Sequence, residues 1–178
     1  MNYARWIACL AVALVLAASV LAQDTKKKKT PTPCADNANA RQFDFWVGQW
    51  KVMANGKTAG HNVISERHNG CLIHESYTTP SGYSGESVNF FDPSTQSWRQ
   101  IWIDNTGNVI WYEGELVDGE MRFLGDLHAP NGKTQKSRMT FTPNEDGSVR
   151  QLMEQSSDGA DWKTVFDGLY VQGEEGAR

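Results

Sequence analysis

Apolar and polar residues alternate in ten consecutive segments from position 44 to the C-terminal end of the chain. Such alternation places successive side chains on opposite faces of a strand, one toward a core and one toward water. Turn-forming pairs such as Asn55-Gly56, Asp118-Gly119 and Asn131-Gly132 separate the segments and are strong hairpin signals. The predicted strands are 45–54, 57–68, 71–79, 84–92, 97–104, 108–116, 119–127, 134–143, 148–156 and 161–171. No segment has the periodicity of a long helix, so the chain is predicted to be all-β.

A long series of adjacent hairpins most readily forms one closed, antiparallel up-and-down β-barrel, because closure removes the unpaired strand edges. We expect about 8–10 strands in a single barrel domain over residues 34–172. A short helical turn is predicted within 35–43, and residues 173–178 are predicted to be a flexible C-terminal tail. Barrels of this kind often hold a small ligand, which narrows the expected function to a class.

The N-terminal region predicts export. Residues 1–22 have a positive start at Arg5, an uncharged apolar run, and small residues before position 23, as in a secretory signal peptide. We therefore expect a periplasmic or secreted protein. The apolar run is too short for a good membrane span, and no transmembrane segment is predicted after it.

Residues 23–33 are polar and rich in lysine and proline, and they are predicted to be a disordered tether. The four consecutive lysines Lys26, Lys27, Lys28 and Lys29 suggest weak contact with anionic envelope polymers. A solubilising spacer that keeps the N-terminus away from the barrel is the preferred interpretation of this segment.

The remainder of the chain is acidic. From residue 30 onward there are 12 basic and 20 acidic residues, a net charge of −8. Nucleic-acid binding needs a basic face, so a nucleic-acid partner is not expected.

Removal of the signal peptide leaves two cysteines, Cys34 and Cys71. An even number of cysteines in an oxidising compartment predicts a disulfide, which would attach the N-terminal extension to the third strand. The loop-entropy model gives a stabilisation of up to roughly 4 kcal/mol for a loop of this length. Two free thiols are the alternative.

The most distinctive string in the chain is F-D-F-W-V-G-Q-W at residues 43–50. Phe43, Phe45 and Trp46 are predicted to form a hydrophobic plug at one end of the barrel, while Trp50 begins an inward-facing row. The expected role of this motif is therefore structural.

Three further motifs accompany that string: Gly70-Cys71, the W-x-Q-x-W-x-D pattern at 98–104, and the sequences at 149–152 and 156–159. With these motifs, residues 34–172 resemble a family of secreted bacterial proteins with a lipocalin-like (calycin) domain of unknown function. The resemblance implies a β-barrel with an internal site, and it brings no catalytic residues.

Polar side chains alternate in phase with aromatic ones on several predicted strands. If the tryptophan-bearing faces point inward, a cavity forms whose aromatic surface orients ligands with the help of buried amides. The predicted ligand-binding residues are Trp98, Gln100, Trp102, Trp111, Asn89 and Gln151. The alternative is an internal hydrogen-bond network with ordered water, because buried amides need partners of some kind. Both faces of several strands carry apolar residues, so the inward face is left open.

Glu75 and Tyr77 are the weak catalytic candidates, since burial beside aromatic rings would raise a carboxyl pKa toward the working range of a general acid or base. The alternative for Glu75 is a surface carboxylate, or one bonded to Arg138 or Arg150. The four histidines (His61, His68, His74 and His128) lie on separate elements and are predicted to be exposed. No metal site and no cofactor is expected.

Three functional hypotheses follow. The first is a secreted or periplasmic protein that binds a small, partly apolar organic ligand inside the barrel. The second is a barrel-cavity enzyme, an isomerase or hydrolase using Glu75 and Tyr77. The third is an envelope-associated interaction protein whose barrel is fully packed. Fold alone does not separate them.

Overall fold

The computed structural model describes residues 33–173, and every structural statement below concerns that part of the chain. Its ten strands are β1 Gly48–Ala54, β2 Lys57–Arg67, β3 Leu72–Thr78, β4 Ser84–Asp92, β5 Ser97–Asp104, β6 Val109–Val117, β7 Glu120–His128, β8 Thr134–Pro143, β9 Val149–Ser156 and β10 Lys163–Gln172. Two 3₁₀ helices, Ala38–Arg41 and Asp44–Trp46, precede them. The prediction of an all-β protein is confirmed.

Each strand pairs antiparallel with the next, and β1 pairs with β10 to close a ten-stranded up-and-down barrel. This architecture is consistent with the predicted lipocalin/calycin-like fold class. The tight turns have the backbone that their sequences predict. In Asp118-Gly119 both residues have positive φ angles, 52° and 83°, as a two-residue hairpin turn of type I′ requires. Short turns of this kind hold sequential strands as neighbours in the barrel.

The start of the barrel differs from the prediction by three residues. β1 begins at Gly48, not at position 45, because Asp44–Trp46 form a 3₁₀ helix. In an extended strand Phe43 and Trp46 would point to opposite faces, whereas the helical turn stacks their rings at 4.8 Å between centroids. Burial of both rings therefore outweighs extension of the strand. The short helical turn expected within 35–43 is present as the helix Ala38–Arg41.

The predicted disulfide between Cys34 and Cys71 is present, with its Cα atoms 4.9 Å apart. Cys71 directly precedes β3, so the bond attaches the N-terminal segment to the third strand, as expected. The predicted signal peptide and nearly all of the predicted tether lie outside the described residues. Gly173, assigned to the tail, still donates a backbone hydrogen bond to Gln49, and the tail positions 174–178 are not described.

A cluster of buried rings fills the end of the barrel where β1 begins; we call it the aromatic plug. It consists of Phe43, Trp46, Trp98, Phe123 and Phe141. Within the plug, the contacting ring pairs that include Phe43 or Trp46 have their centroids 4.7–5.7 Å apart. Phe43, Trp46 and Phe141 are fully buried. The plug closes this end of the barrel, as the sequence predicts for Phe43 and Trp46. Phe45 is only half-buried, at the side of the plug.

No helix within residues 33–173 has both the length and the apolar character needed to cross a membrane.

Candidate functional site

Between the aromatic plug and the opposite end of the barrel lies a cavity of about 290 Å³. Its volume is close to the lower limit of small-molecule pockets, roughly 300 Å³. The lining extends to residues at the β3–β4 and β5–β6 connections, Tyr83 and Asn108, which are at the end away from the plug. We call that end the open end of the barrel.

Two glycines let aromatic side chains lie flat against the cavity wall. A Cβ atom at Gly85 would collide with the ring of Trp102 on the neighbouring strand β5, and one at Gly60 would collide with the ring of Tyr77 on β3. Trp102 and Tyr77 both line the cavity. Because these two positions carry no side chain, the rings occupy the wall instead of filling the central space.

A buried carboxyl group, that of Glu75, lies at the wall of the cavity, and its side chain is only 5% exposed. Its Oε1 accepts a hydrogen bond from Asn62 Nδ2 at 2.7 Å, and its Oε2 accepts one from Ser87 Oγ at 2.6 Å. The three side chains come from adjacent strands β2, β3 and β4, where the register pairs Glu75 with Ser87. Cross-strand pairing therefore fixes the position of the carboxyl group.

A chain of donors leads from β5 to this carboxyl group. Gln100 Nε2 donates to Asn89 Oδ1 at 2.6 Å, and Asn89 Nδ2 donates to Ser87 Oγ at 2.8 Å. Ser87 in turn donates its hydroxyl proton to Glu75. Every step points the same way, so the chain favours negative charge on Glu75.

A second branch connects Glu75 with the far side of the barrel. Asn62 Nδ2 is 3.4 Å from the hydroxyl oxygen of Tyr170, and Tyr170 donates to Gln151 Oε1 at 2.6 Å. The Oδ1 atom of Asn62 is buried and accepts no hydrogen bond within the described chain. A buried acceptor without a donor is costly, which marks this position as incompletely satisfied by the protein alone.

Burial raises the pKa of Glu75 from 4.5 to about 7, against the opposing effect of the hydrogen bonds from Ser87 and Asn62. Burial, with the charge of Glu75 as a smaller cause, also raises the pKa values of Tyr77 and Tyr170. These tyrosines are therefore neutral throughout the physiological range. Glu75 changes its charge within that range.

A second carboxyl group, that of Asp104, lines the cavity near the open end. Burial opposes its ionisation, but hydrogen bonds from Thr106 and Asn108 outweigh that effect and lower its pKa. Oδ2 accepts a further hydrogen bond from the Tyr83 hydroxyl at 3.0 Å. Asp104 is thus an ionised carboxylate whose oxygens organise the β5–β6 turn and fix the ring of Tyr83.

The remainder of the cavity surface is largely apolar. Its apolar residues are Ile110, Leu127, Met139, Met153, Val165 and Phe166, from strands β6 to β10, and the polar residues Tyr112, Gln151, Gln155 and Tyr170 lie among them. The cavity thus has a polar wall around Glu75 and an apolar wall opposite the donor chain. A ligand that fits both walls is itself partly apolar.

The structure brings most of the predicted site residues together. Gln100, Trp102 and Gln151 line the cavity, and so do the catalytic candidates Glu75 and Tyr77. Asn89 is completely buried behind this surface, where it binds Gln100, Ser87 and the carbonyl oxygen of Ile73. It therefore supports the site and does not line the cavity.

Two tryptophans were wrongly predicted to line the cavity. Trp98 faces inward but packs in the aromatic plug, where its Nε1 donates to Gln42. Trp111 lies on the outer surface and is 56% exposed. The register of β5 and β6 pairs Trp102 with Ile110, which leaves Trp111 on the opposite face.

The alternative environments proposed for Glu75 do not occur. Arg138 and Arg150 lie on the outer surface, where they form ion pairs with Glu154 and Asp167. Glu75 belongs to none of the ion pairs within residues 33–173. Of the four histidines, three are exposed, and the half-buried His74 contacts Glu86 on the outer surface.

Five residues of the site were not identified from the sequence: Asn62, Ser87, Asp104, Tyr112 and Tyr170. Asn62 and Tyr170 each occupy an inward position, in phase with buried neighbours such as Ile64 and Gly168. A polar residue in phase with apolar ones on a half-buried strand is the signal that could have identified Asn62.

A wider depression of about 980 Å³ lies on the outer surface of β6 to β9 and is open to solvent. Its two arginines, Arg122 and Arg138, already form ion pairs, with Glu120 and Glu154. We therefore place the candidate site in the interior cavity.

Within residues 33–173, no three His, Cys, Asp or Glu side chains are grouped so that they could hold a metal ion. No family model matches the chain, and no curated protein matches it. The resemblance to secreted lipocalin-like proteins therefore stays a prediction.

Proposed function

We propose that this protein is a secreted or periplasmic binding protein that holds a small, partly apolar organic ligand inside its barrel. The observation that carries the proposal is the cavity of about 290 Å³ with one hydrogen-bonding wall and one apolar wall. A fully packed barrel would have no such space, so the volume speaks against the interaction-protein hypothesis. The Cys34–Cys71 disulfide agrees with an oxidising compartment outside the cytoplasm.

The ligand would contact Trp102 and Tyr77 at the wall, while Gln100, Gln151 and Glu75 orient its polar groups. The polar residues are held by their own hydrogen bonds before any ligand arrives. Such preorganisation reduces the entropy lost on binding. The barrel would thus act as a rigid container in which little needs to rearrange.

Native mass spectrometry of protein purified gently from its own envelope fraction tests the proposal. We expect a stoichiometric excess mass that is lost on denaturation. The matched variants Trp102→Ala and Trp111→Ala locate the cargo, because these two tryptophans lie on neighbouring strands and on opposite sides of the barrel wall. Trp102→Ala should release the cargo and Trp111→Ala should keep it. Equal retention by both variants would contradict binding in the cavity.

A barrel-cavity enzyme is the second candidate, favoured by the pKa of about 7 for Glu75 within a cavity. Both carboxyl oxygens of Glu75 already accept hydrogen bonds. On the inward face of β3, which carries Glu75, Tyr77 has the only hydroxyl group. Incubation of the recovered cargo with the protein tests this candidate. A cargo whose mass, chromatographic retention and fragmentation pattern all stay unchanged supports binding, and a product that Glu75→Gln fails to form supports catalysis.

A further inference from the structure

The ionisable side chains of the cavity wall are strongly biased toward acids. The lining contains the carboxyl groups of Glu75 and Asp104, but no lysine, arginine or histidine. Neither carboxyl group belongs to an ion pair within residues 33–173. A low-dielectric cavity strengthens the resulting negative potential, which attracts cations and repels carboxylates and phosphates.

The hydrogen bonds around Glu75 leave it able to accept more. A carboxylate can accept about four hydrogen bonds, and this one receives two, from Asn62 and Ser87. Gln100 donates one of its two amide N–H groups to Asn89, and Asn89 donates both of its own, to Ser87 and to the carbonyl oxygen of Ile73. The carboxyl group of Glu75 therefore keeps acceptor capacity for a ligand.

Asn62 supports Glu75 from behind the cavity wall. Asn62 is fully buried, and its Nδ2 atom bonds the carboxyl group of Glu75. Its carbonyl oxygen needs a donor that residues 33–173 do not provide. Asn62 is not among the residues that line the cavity, so a ligand there meets the carboxyl group of Glu75 and not this oxygen.

Aromatic rings complete the environment on the side of the open end. Tyr77, Tyr83 and Trp102 all line the cavity, and the two tyrosine rings contact each other edge to face at 6.4 Å between centroids. The faces of such rings attract cations, most strongly when water is excluded. Buried negative charge next to aromatic rings is an environment for an organic cation.

We infer that the ligand is a small organic amine, whose ammonium group binds Glu75 among these aromatic rings and whose apolar part packs against the wall of β6 to β10. This inference rests on the proposed function, because it specifies the chemical class of the cavity's ligand. Glu75 supplies the charge contact, and Asp104 adds negative potential at the open end.

Three probes of nearly equal size test the inference: 2-phenylethylamine, 2-phenylethanol and 3-phenylpropionate. They have the same ring but differ in charge. Dissociation constants are measured by isothermal titration calorimetry with the disulfide-bonded protein at about pH 8, where Glu75 is mostly ionised. We expect the amine to bind at least tenfold more tightly than the alcohol, and the propionate to bind most weakly.

Glu75→Gln removes the charge with little change in shape. In this variant we expect the amine to lose at least tenfold in affinity, while the affinity for the alcohol changes by less than about threefold. Glu115→Gln is the matched control, because Glu115 is exposed on the outer face of β6. It should leave the preference for the amine unchanged.

The pH dependence of the wild-type protein gives a measurement that needs no variant. The other titratable groups that face Glu75 are Tyr77, Tyr112 and Tyr170, whose pKa values are raised, and Asp104 near the open end has a lowered one. Between about pH 5.5 and 8, Glu75 is thus the cavity group that changes charge. Affinity for the amine should rise roughly tenfold over this range, and affinity for the alcohol should stay constant.

The outcomes separate the inference from the function on which it rests. Amine and alcohol binding with equal affinity, or an amine preference that survives in Glu75→Gln, would overturn the inference and leave a binding protein for neutral ligands. Tighter binding of the propionate would also overturn it. If none of the three probes binds and the purified protein carries no cargo, both the inference and the proposed function are wrong.

Discussion

Replacing Glu75 by glutamine also tests the electrostatics of the empty cavity, through the stability of the protein. The pKa of Glu75 is 4.5 in the unfolded chain and about 7 in the folded protein, mainly because of burial. A raised folded-state pKa means that ionisation disfavours the folded state. The contribution of Glu75 to stability is therefore fully present below about pH 4.5, and it is lost as the pH rises through 7.

The size of this effect follows from the two pKa values. A change from 4.5 to about 7 corresponds to about 3 kcal/mol of stability lost between acidic and mildly alkaline pH. Glutamine cannot ionise, so Glu75→Gln lacks this loss. The stability of the variant relative to the wild type should rise by about 3 kcal/mol from pH 4 to pH 8. Any change in hydrogen bonding with Asn62 and Ser87 adds an offset that does not depend on pH.

Urea unfolding monitored by tryptophan fluorescence at several pH values measures this difference, with the slope of each transition checked for constancy. Other acids, such as Asp104 and Asp158, have lowered pKa values and change the stability of both proteins equally. Comparison of the two proteins at each pH thus isolates Glu75. The exposed Glu115→Gln variant should differ from the wild type by less than about 0.5 kcal/mol at every pH. If the difference in unfolding free energy between the wild type and Glu75→Gln varies by less than about 1 kcal/mol from pH 4 to pH 8, the pKa of Glu75 is not raised as described.

Three further predictions concern the plug, the disulfide and the cavity wall. Phe43→Ala should lower the free energy of unfolding by about 3–5 kcal/mol, because it removes a fully buried ring at the centre of the plug; urea unfolding measures the loss, and a cost under 1 kcal/mol would contradict the packing. Replacing Cys34 and Cys71 by serine should cost up to about 4 kcal/mol by the loop-entropy model, whereas an unchanged midpoint in urea would show that the bond does not constrain the unfolded chain. Gly85→Ala should push the ring of Trp102 into the cavity and weaken the binding of 2-phenylethylamine at least tenfold in calorimetry, while Gly119→Ala, in the exposed β6–β7 turn at the plug end, should not. Equal effects of the two glycine variants would mean that Trp102 does not need the space above Gly85.

Most of the barrel could be predicted from the sequence because its determinants are local. The period-two alternation and the turn-forming pairs act over short stretches, and the disulfide follows from the presence of two cysteines. The predicted strand bounds agree with those of the structure within three residues. The exceptions lie where the chain enters or leaves the barrel. There, burial of Phe43 and Trp46 in the plug overrides the extended conformation.

The site was only partly predictable, because it depends on which face of each strand points inward. Trp102 and Trp111 are equivalent in the sequence pattern, yet the pairing of Trp102 with Ile110 places one inside and the other outside. A single-residue change in register reverses every side chain of a strand, so this choice belongs to the closed barrel as a whole.

The sequence by itself determined an all-β chain with one disulfide, polar groups in phase with aromatic ones, and Glu75 as the acid to test. Only the tertiary structure decided that Glu75 is buried between Asn62 and Ser87, and that its pKa lies near 7. The physical reason is that hydrogen bonding, desolvation and cavity volume arise between strands. They take their values only when side chains distant in the sequence are brought to one place by the closure of β1 on β10.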